Sequence, residues 1–403
     1  MRTRICILML LAAATASAFG AGLSVPDFRI LTNGRVNDGA LVLSTRVYTD
    51  LLIEGGAKFS ASFKLGFQTD NLENYLKAMA KPIMFNDDGT LSTPVDEAID
   101  TLNNRTGLVF RSAAITLNGA FGTPLETTVF VGRLDAFASG DDFPFLFGTT
   151  DFATRLRGYM YYPDGIGNDQ TRYYNGLHEA YGTGLRLSLP GERLKPYVYL
   201  YQDAWIDEPG HYSADARLLF NTRNIKLEGF LGASSYPGSA LGVYRGGFLF
   251  FFDTGNVGAF YAQIGVPRWD PTKSFGMDML FFMFEPRVDF GAATLTLSLF
   301  FHPAWYLQKE TEESGALDMR VDFSLGKLAV SGLQAGVETL ISYNPNDATD
   351  PTANSALVVE IAPYFNSIRD GVRWDLKLGI RALPFEDAWY GIFRPSIGIT
   401  TAF

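Results

Sequence analysis

Between Ala57 and Gln68 the chain alternates without a break. Ala57, Phe59, Ala61, Phe63, Leu65 and Phe67 take one parity; Lys58, Ser60, Ser62, Lys64, Gly66 and Gln68 take the other. The same period of two returns at Leu317–Leu325, where Leu317, Met319, Val321, Phe323 and Leu325 alternate with Asp318, Arg320, Asp322 and Ser324. It returns again where Val372, Trp374, Leu376, Leu378 and Ile380 alternate with Arg373, Asp375, Lys377, Gly379 and Arg381. A strand sends successive side chains to opposite faces, so each segment predicts a strand with one apolar and one wet wall. After residue 20 no stretch approaches 18 consecutive apolar residues, so no transmembrane helix is predicted. The apolar faces are bulky and numerous, and the polar faces carry charges of both signs. In lipid every backbone N–H and C=O needs a partner, so a β protein there must close on itself. The pattern therefore predicts an all-β fold, a transmembrane antiparallel up-and-down β-barrel.

Connections alternate in length. Short ones, mostly containing Gly, Asn, Asp or Pro, fall at 120–125, 190–193, 221–224, 253–256, 290–293, 326–332 and 366–371, as tight hairpins require. The intervening loops are longer, two of them much longer, from about Thr69 to Thr106 and from Asp135 to Leu177. Long loops belong on the extracellular side and short turns on the periplasmic side. Trp205, Trp269, Trp305 and Trp389 then fall at the outer rim and Trp374 near the inner one, as an interfacial belt predicts. Counting gives 17 strands from Ala40 onward. Residues 27–33 supply one more for a total of 18; otherwise 40–49 belongs to a leading segment and the total is 16.

The two ends add a compartment. Arg2 and Arg4, the apolar run from Ile5 to Ala14 and the Ala16-Ser17-Ala18 site read as a secretory signal peptide over residues 1–18. A leading segment, 19–39, precedes the barrel of 40–403. The last strand carries Phe393, Pro395, Ile397, Ile399, Thr401 and Phe403 on one face and Arg394, Ser396, Gly398, Thr400 and Ala402 on the other. In signal, body and terminus the chain resembles bacterial outer-membrane β-barrel proteins of porin-like type. The phrases GHYSADARLLFN, YRGGFLFFFDTGN and IGVPRWDP are similar to those of spirochaetal outer-membrane proteins. The resemblance implies outer-membrane lipid as surroundings and Phe403 as an assembly signal read by the barrel-assembly machinery. It also implies a possible homotrimer, although no sequence feature marks the packing patch.

Composition narrows the chemistry. A formal charge of −10 offers no basic stripe to phosphates, so no nucleic acid is expected. One cysteine, inside the signal, and three histidines exclude a disulfide scaffold and leave little for a metal site; no metal and no cofactor is expected. The sequence contains no G-x-S-x-G, no H-E-x-x-H and no phosphate loop, so an enzyme is not expected. His211, Ser213 and Asp203 are the residues that a rim hydrolase would use.

The inward parity holds 11 basic and 8 acidic residues. Candidate pore-lining residues are Lys58, Lys64, Arg186, Arg217, Arg245, Arg320, Asp322, Glu338, Glu360, Arg373, Asp375, Lys377 and Arg381, with Lys226, Arg394, Asp215, Glu228, Asp278 and Asp318 completing the set. Unpaired ions in a dry core cost several kcal/mol each, so the interior is expected to be wet. At 16–18 strands a barrel is wide enough to leave an aqueous channel. The expected function is an outer-membrane channel for passive diffusion of small hydrophilic solutes, with weak ion selectivity. The alternatives are a transporter of hydrophobic molecules, suggested by the runs FLFFF at 248–252 and MLFFMF at 279–284, and a surface adhesion or structural barrel. In the first long loop Asn71 and Thr93 start two short amphipathic helices. That loop, with Asn71, Tyr75, Asp96 and Asp100, is the candidate constriction; the alternative is an extracellular cap outside the lumen.

Overall fold

A computed structural model describes residues 22–24, 28–37, 40–56, 58–69, 108–140, 142–149, 176–206, 210–239, 241–255, 257–306, 309–310, 314–346, 356–384 and 392–401. The signal region, Asn71, Tyr75, Asp96, Asp100, Trp389 and Phe403 lie outside the described residues.

Eighteen strands build the wall. They are β1 Phe28–Asn37, β2 Ala40–Gly55, β3 Phe59–Thr69, β4 Leu108–Leu117, β5 Glu126–Phe137 and β6 His178–Ser188. Next come β7 Leu194–Asp203, β8 Tyr212–Asn221, β9 Ile225–Ser234, β10 Val243–Asp253, β11 Gly258–Trp269 and β12 Phe281–Asp289. The last six are β13 Ala293–Phe301, β14 Leu317–Leu325, β15 Leu333–Tyr343, β16 Leu357–Arg369, β17 Val372–Leu383 and β18 Phe393–Thr401. Each is antiparallel to its predecessor. The last returns to the first, from Phe28↔Thr401 to Asn33↔Ser396. Every strand thus has two neighbours, and among the described residues the cycle has no free edge. The total of 18 is the upper of the two counts expected from the sequence, because residues 28–37 are a full member of the wall. Gly22–Ser24 adds three residues beside β2, beyond β1.

Alternation fixes which way each wall faces. On β8 Tyr212 and Leu218 are exposed while Ser213, Asp215, Arg217 and Leu219 are buried. On β17 Trp374, Leu376 and Leu378 are exposed outward, whereas Asp375 and Lys377 are buried. A one-residue slip would turn charge to the apolar outer face, so the pattern sets the register. Asp278, counted above on the inner wall, lies instead in a short 3-10 turn, Met277–Met279, ahead of β12. The strand starts later than its apolar run suggests. Trp205, Trp269 and Trp305 fall at or just beyond the outer strand ends and Trp374 lies at the inner end of β17.

Candidate functional site

The lumen has two unlike sides, and a pair of glycines divides them. Gly132 on β5 and Gly182 on β6 are direct partners, with φ of 91° and 153°. A Cβ on Gly132 would stand 2.3 Å from the Arg111 carbonyl oxygen, and one on Gly182 would stand 1.9 Å from that of Gln202. Only glycine fits such close backbone approaches. The ladder between β4 and β5 ends at Ser112↔Gly132, and that between β6 and β7 at Gly182↔Asp203. Beyond them the ribbon of residues 133–137 and 178–181 pairs with itself, with a bulge between Arg133 and Asp135. A bulge bends a ribbon. This one bends inward, over the inner face of β7, β8 and β9.

Contacts of the ribbon establish the direction. The Phe137 ring lies 5.1 Å from Tyr199 and 5.2 Å from Phe230, with the Arg217 guanidinium 4.9 Å above its centre. Asp135 accepts from Arg186 Nη1 at 2.9 Å and from the Tyr199 hydroxyl at 2.7 Å. The Ala138 N–H donates to Glu228 Oε1 at 2.7 Å, and Glu228 pairs with Arg217 at 2.8 Å, both side chains fully buried. At the ribbon's base Arg245 forks onto both oxygens of Asp215, at 2.7 and 2.9 Å, and the Tyr201 hydroxyl donates to the same carboxylate. Beyond the ribbon a single helical turn, Phe143–Phe147, buries Phe143, Leu146 and Phe147. Lys195 on β7 donates to the Leu146 carbonyl oxygen, and Asn221 on β8 to that of Phe147. On the return path Leu177 sits over Gly247 and Gly265, where an added Cβ would approach its Cδ1 to 2.8 and 2.7 Å. The ribbon and this segment form a plug against half of the lumen wall.

Among the described residues of the plug outside the strands, Asp142 is the one with a shifted titration. Asp142 Oδ2 accepts from the Ala136 N–H at 2.5 Å. Burial, and then the neighbouring Asp135 carboxylate, push the Asp142 carboxyl up to about 7. A carboxyl raised in the fold favours the protonated form there. Its contribution to docking is complete below the ordinary carboxylate range and is lost as pH rises through about 7. Conductance and proteolytic sensitivity of the plug are therefore expected to rise between pH 5 and pH 8, and Asp142→Asn should flatten both profiles. A wild-type profile that is flat over this range would contradict the assignment.

Next to the plug the inner wall carries a ring cluster beside a buried ion pair, Arg287 with Glu285 at 2.7 Å. The inward members of the phenylalanine runs, Phe251, Phe281 and Met283, are buried with Tyr261, Phe300 and Tyr306. Phe281 packs on Phe300 at 5.2 Å and on Tyr306 at 5.6 Å. These rings pack on one another and leave no open greasy track among the described residues.

From β14 onward charged and hydroxyl side chains make up most of the buried inner face. Arg320 and Lys377 both bind Glu338, and the Tyr364 hydroxyl donates to Asp322 at 2.9 Å. Glu360 receives two guanidinium groups, Arg381 at 3.3 Å and Arg394 at 3.1 Å, and Arg373 holds Asp375 at 2.7 Å. Three of these cations keep contact with solvent, Arg373, Arg381 and Arg394 at 32%, 24% and 27% exposure, whereas Arg320 and Lys377 are buried.

Of the candidate pore-lining residues, Arg186, Arg217, Arg245, Arg320, Asp322, Glu338, Glu360, Asp375 and Lys377 are buried and engaged with partners. Lys64, Arg373 and Arg381 are half-buried, and Lys58 is exposed beside the β2–β3 turn. Ser213 Oγ donates to Asp203 at 2.6 Å and lies 2.6 Å from Ser234 Oγ, whereas His211 Nδ1 stands 3.5 Å from Ser235 Oγ. That geometry places an acid and a hydroxyl at Ser213, without the base that a nucleophile needs. Sequence reasoning did not single out Asp135, Tyr199, Tyr201, Leu177 or residues 143–147. A signal was present: inward glycines at 247 and 265 mark places where another segment, at Leu177, approaches the wall.

No protein-family model and no curated relative matches the sequence. Among solved structures the chain is similar to OccAB4 of Acinetobacter baumannii, at 10% identity over 95% of this chain and 97% of that chain, with a TM-score of 0.49. It is also similar to Wzi, an Escherichia coli outer-membrane protein of group 1 capsule assembly described as a carbohydrate-binding β-barrel. That match has 11% identity, covers 98% of this chain and 88% of that one, and has a TM-score of 0.45. A mutant porin of Rh. blastica matches at 10% identity over 95% and 100%, with a TM-score of 0.44.

Proposed function

We propose that the protein is a bacterial outer-membrane channel that lets small hydrophilic solutes diffuse along the side of the lumen opposite the plug. The observation that carries this reading is the asymmetry of the inner face. From β5 to β13 it is packed by the ribbon, the Phe143–Phe147 turn and an aromatic cluster. From β16 through β18 to β4 it presents half-exposed charged and hydroxyl side chains, among them Arg373, Arg381, Arg394, Ser60 and Ser62. An 18-strand wall is wider than its own side chains can fill, so a plug on one side narrows the passage without needing to seal it. The outer face supports lipid as its surroundings, since Phe63, Val129, Leu200, Leu231, Ile264 and Leu376 all point outward and are exposed. Assembly through the C-terminal strand and a trimeric state belong to the same proposal, and no catalytic role is assigned.

Reconstitution of detergent-folded protein into planar bilayers tests the reading. Stepwise, ohmic conductance increments are expected. Their absence from protein that retains its β spectrum would reject a channel.

A further inference from the structure

The outer wall is not uniform. Register sorts its outward side chains into rows that run across the strands, and on β6 to β9 these rows change character with height. At the rim Thr183, Gln202, Tyr212 and Ser235 stand side by side. One row toward mid-height come Leu185, Leu200, Ala214 and Ala233, and the next holds Leu187, Val198, Ala216 and Leu231. Polar side chains thus end abruptly, one row below the rim.

The two alanines make a furrow. Their methyl groups leave a dip between Leu200 on one bank and the loop after β9, with Tyr236 and Leu241, on the other. The dip is a groove of about 850 Å³, within the range of small-molecule sites. By contrast Leu317, Tyr343 and Leu357 make one row of bulky, exposed side chains on β14 to β16.

The groove is amphipathic along its length. Leu200, Ala214, Ala233 and Leu241 give it an apolar floor and banks. At the rim end Ser235 Oγ accepts from the Tyr212 N–H at 2.9 Å and stands 3.5 Å from His211 Nδ1, and Ser239 adds a second hydroxyl. The described lining residues include no lysine, arginine, aspartate or glutamate, so this end suits an uncharged polar group. The row of Ala214 and Ala233 continues into Tyr244 and Trp269, rings of the kind that gather at the membrane–water interface. A guest whose polar junction sits at that height, with a chain running down past Ala216, has the polarity of a membrane lipid. A protein partner needs a broad patch of roughly 800 Å² on each side, whereas one chain needs only a furrow.

We infer that this groove holds one acyl chain of an outer-leaflet lipid, with the ester and hydroxyl groups of an uncharged head hydrogen-bonded at the His211–Ser235 end. Lipid tails are already apolar, so the hydrophobic effect gives no preference for this site over the rest of the wall. Retention comes from close contact on three sides of the chain and from the polar end. The inference rests on the outer-membrane part of the reading above and is independent of conduction.

Photo-labelling is the test. Folded protein is placed in phosphatidylcholine vesicles that contain a galactosyl diacylglycerol with a diazirine on one acyl chain, and labelled residues are mapped by mass spectrometry. Labelling of Leu200, Ala214, Ala233 and Leu241 is expected to exceed that of the Leu317–Tyr343–Leu357 row several-fold. In Ala214→Phe/Ala233→Phe, whose rings fill the furrow from the lipid side, the excess should vanish. In Ala61→Phe, at an exposed outward position on β3, it should persist. In His211→Ala/Ser235→Ala it should fall by half or more. Flotation with the vesicles and heat-modifiable migration on gels verify that each variant is inserted and folded; Ala233→Phe alone replaces a double variant that is not. Even labelling of all outward rows, or an excess that survives the phenylalanines, overturns the inference and leaves the membrane reading standing. Cross-links between two protein copies through the groove would assign it to a subunit interface and overturn the lipid. Protein that does not float with the vesicles overturns the membrane reading as well.

Discussion

Replacing Arg217 with alanine should destabilise the folded barrel by about 3–5 kcal/mol, the loss typical of a buried ion pair stripped of one partner. The pair it forms with Glu228 has both side chains fully buried at 2.8 Å. The guanidinium also reaches the Ala136 carbonyl oxygen at 3.3 Å and covers the Phe137 ring. Alanine would leave the Glu228 carboxylate in a dry site, with one backbone N–H, from Ala138, still bonded to it. Neutralising both partners, as Arg217→Met with Glu228→Gln, should restore most of the stability, because an uncharged pair of similar volume avoids the desolvation cost. Urea titration of protein folded in detergent or lipid vesicles measures both effects. A loss below about 1 kcal/mol for Arg217→Ala would mean that the pair is solvated, as surface pairs are. Arg369→Ala, beside an equally exposed Asp370, supplies that low reference.

Valine at Gly182 should release the plug. The new Cβ has no room against the Gln202 carbonyl oxygen, 1.9 Å away, and φ of 153° is foreign to a branched residue. Either β7 shifts or the ribbon leaves its seat, and the ribbon has fewer ladder partners to lose. Single-channel conductance is expected to rise several-fold, accompanied by new protease cleavage within residues 138–149. Gly132→Val should act in the same direction, since its partner position is equally tight. Folded Gly182→Val protein with wild-type conductance and wild-type cleavage would remove the glycine pair from its role as a bend.

The wall was legible in the sequence because a barrel strand with an apolar outer face and a polar inner one must write its two faces in alternate letters. Residues 317–325 and 372–381 show this most clearly, and their partners in the sheet follow from the short turns. The contents of the lumen were less legible. Charge at Arg186, Arg217 and Arg320 pointed inward as read, yet inwardness says nothing about what lies above the side chain. Water and a folded-in ribbon both accept polar groups. The loop after β3, which the sequence offered as a constriction, lies outside the described residues; the plug comes from the second long connection, after β5. Residues 143–147 (FPFLF) carry too short a run for helical periodicity to be recognised. The bend at Gly132 and Gly182 depends on two glycines facing each other across strands, a relation visible only once register is known.

Pairing of β1 with β18 has a consequence for manufacture. The opening strand of the wall finds its second neighbour only when the closing one has been made, at a sequence separation that spans nearly the whole chain. Ends so far apart meet slowly. Until they do, each intermediate carries two raw hydrogen-bonding margins. A half-built molecule therefore advertises its incompleteness until the seam is sewn.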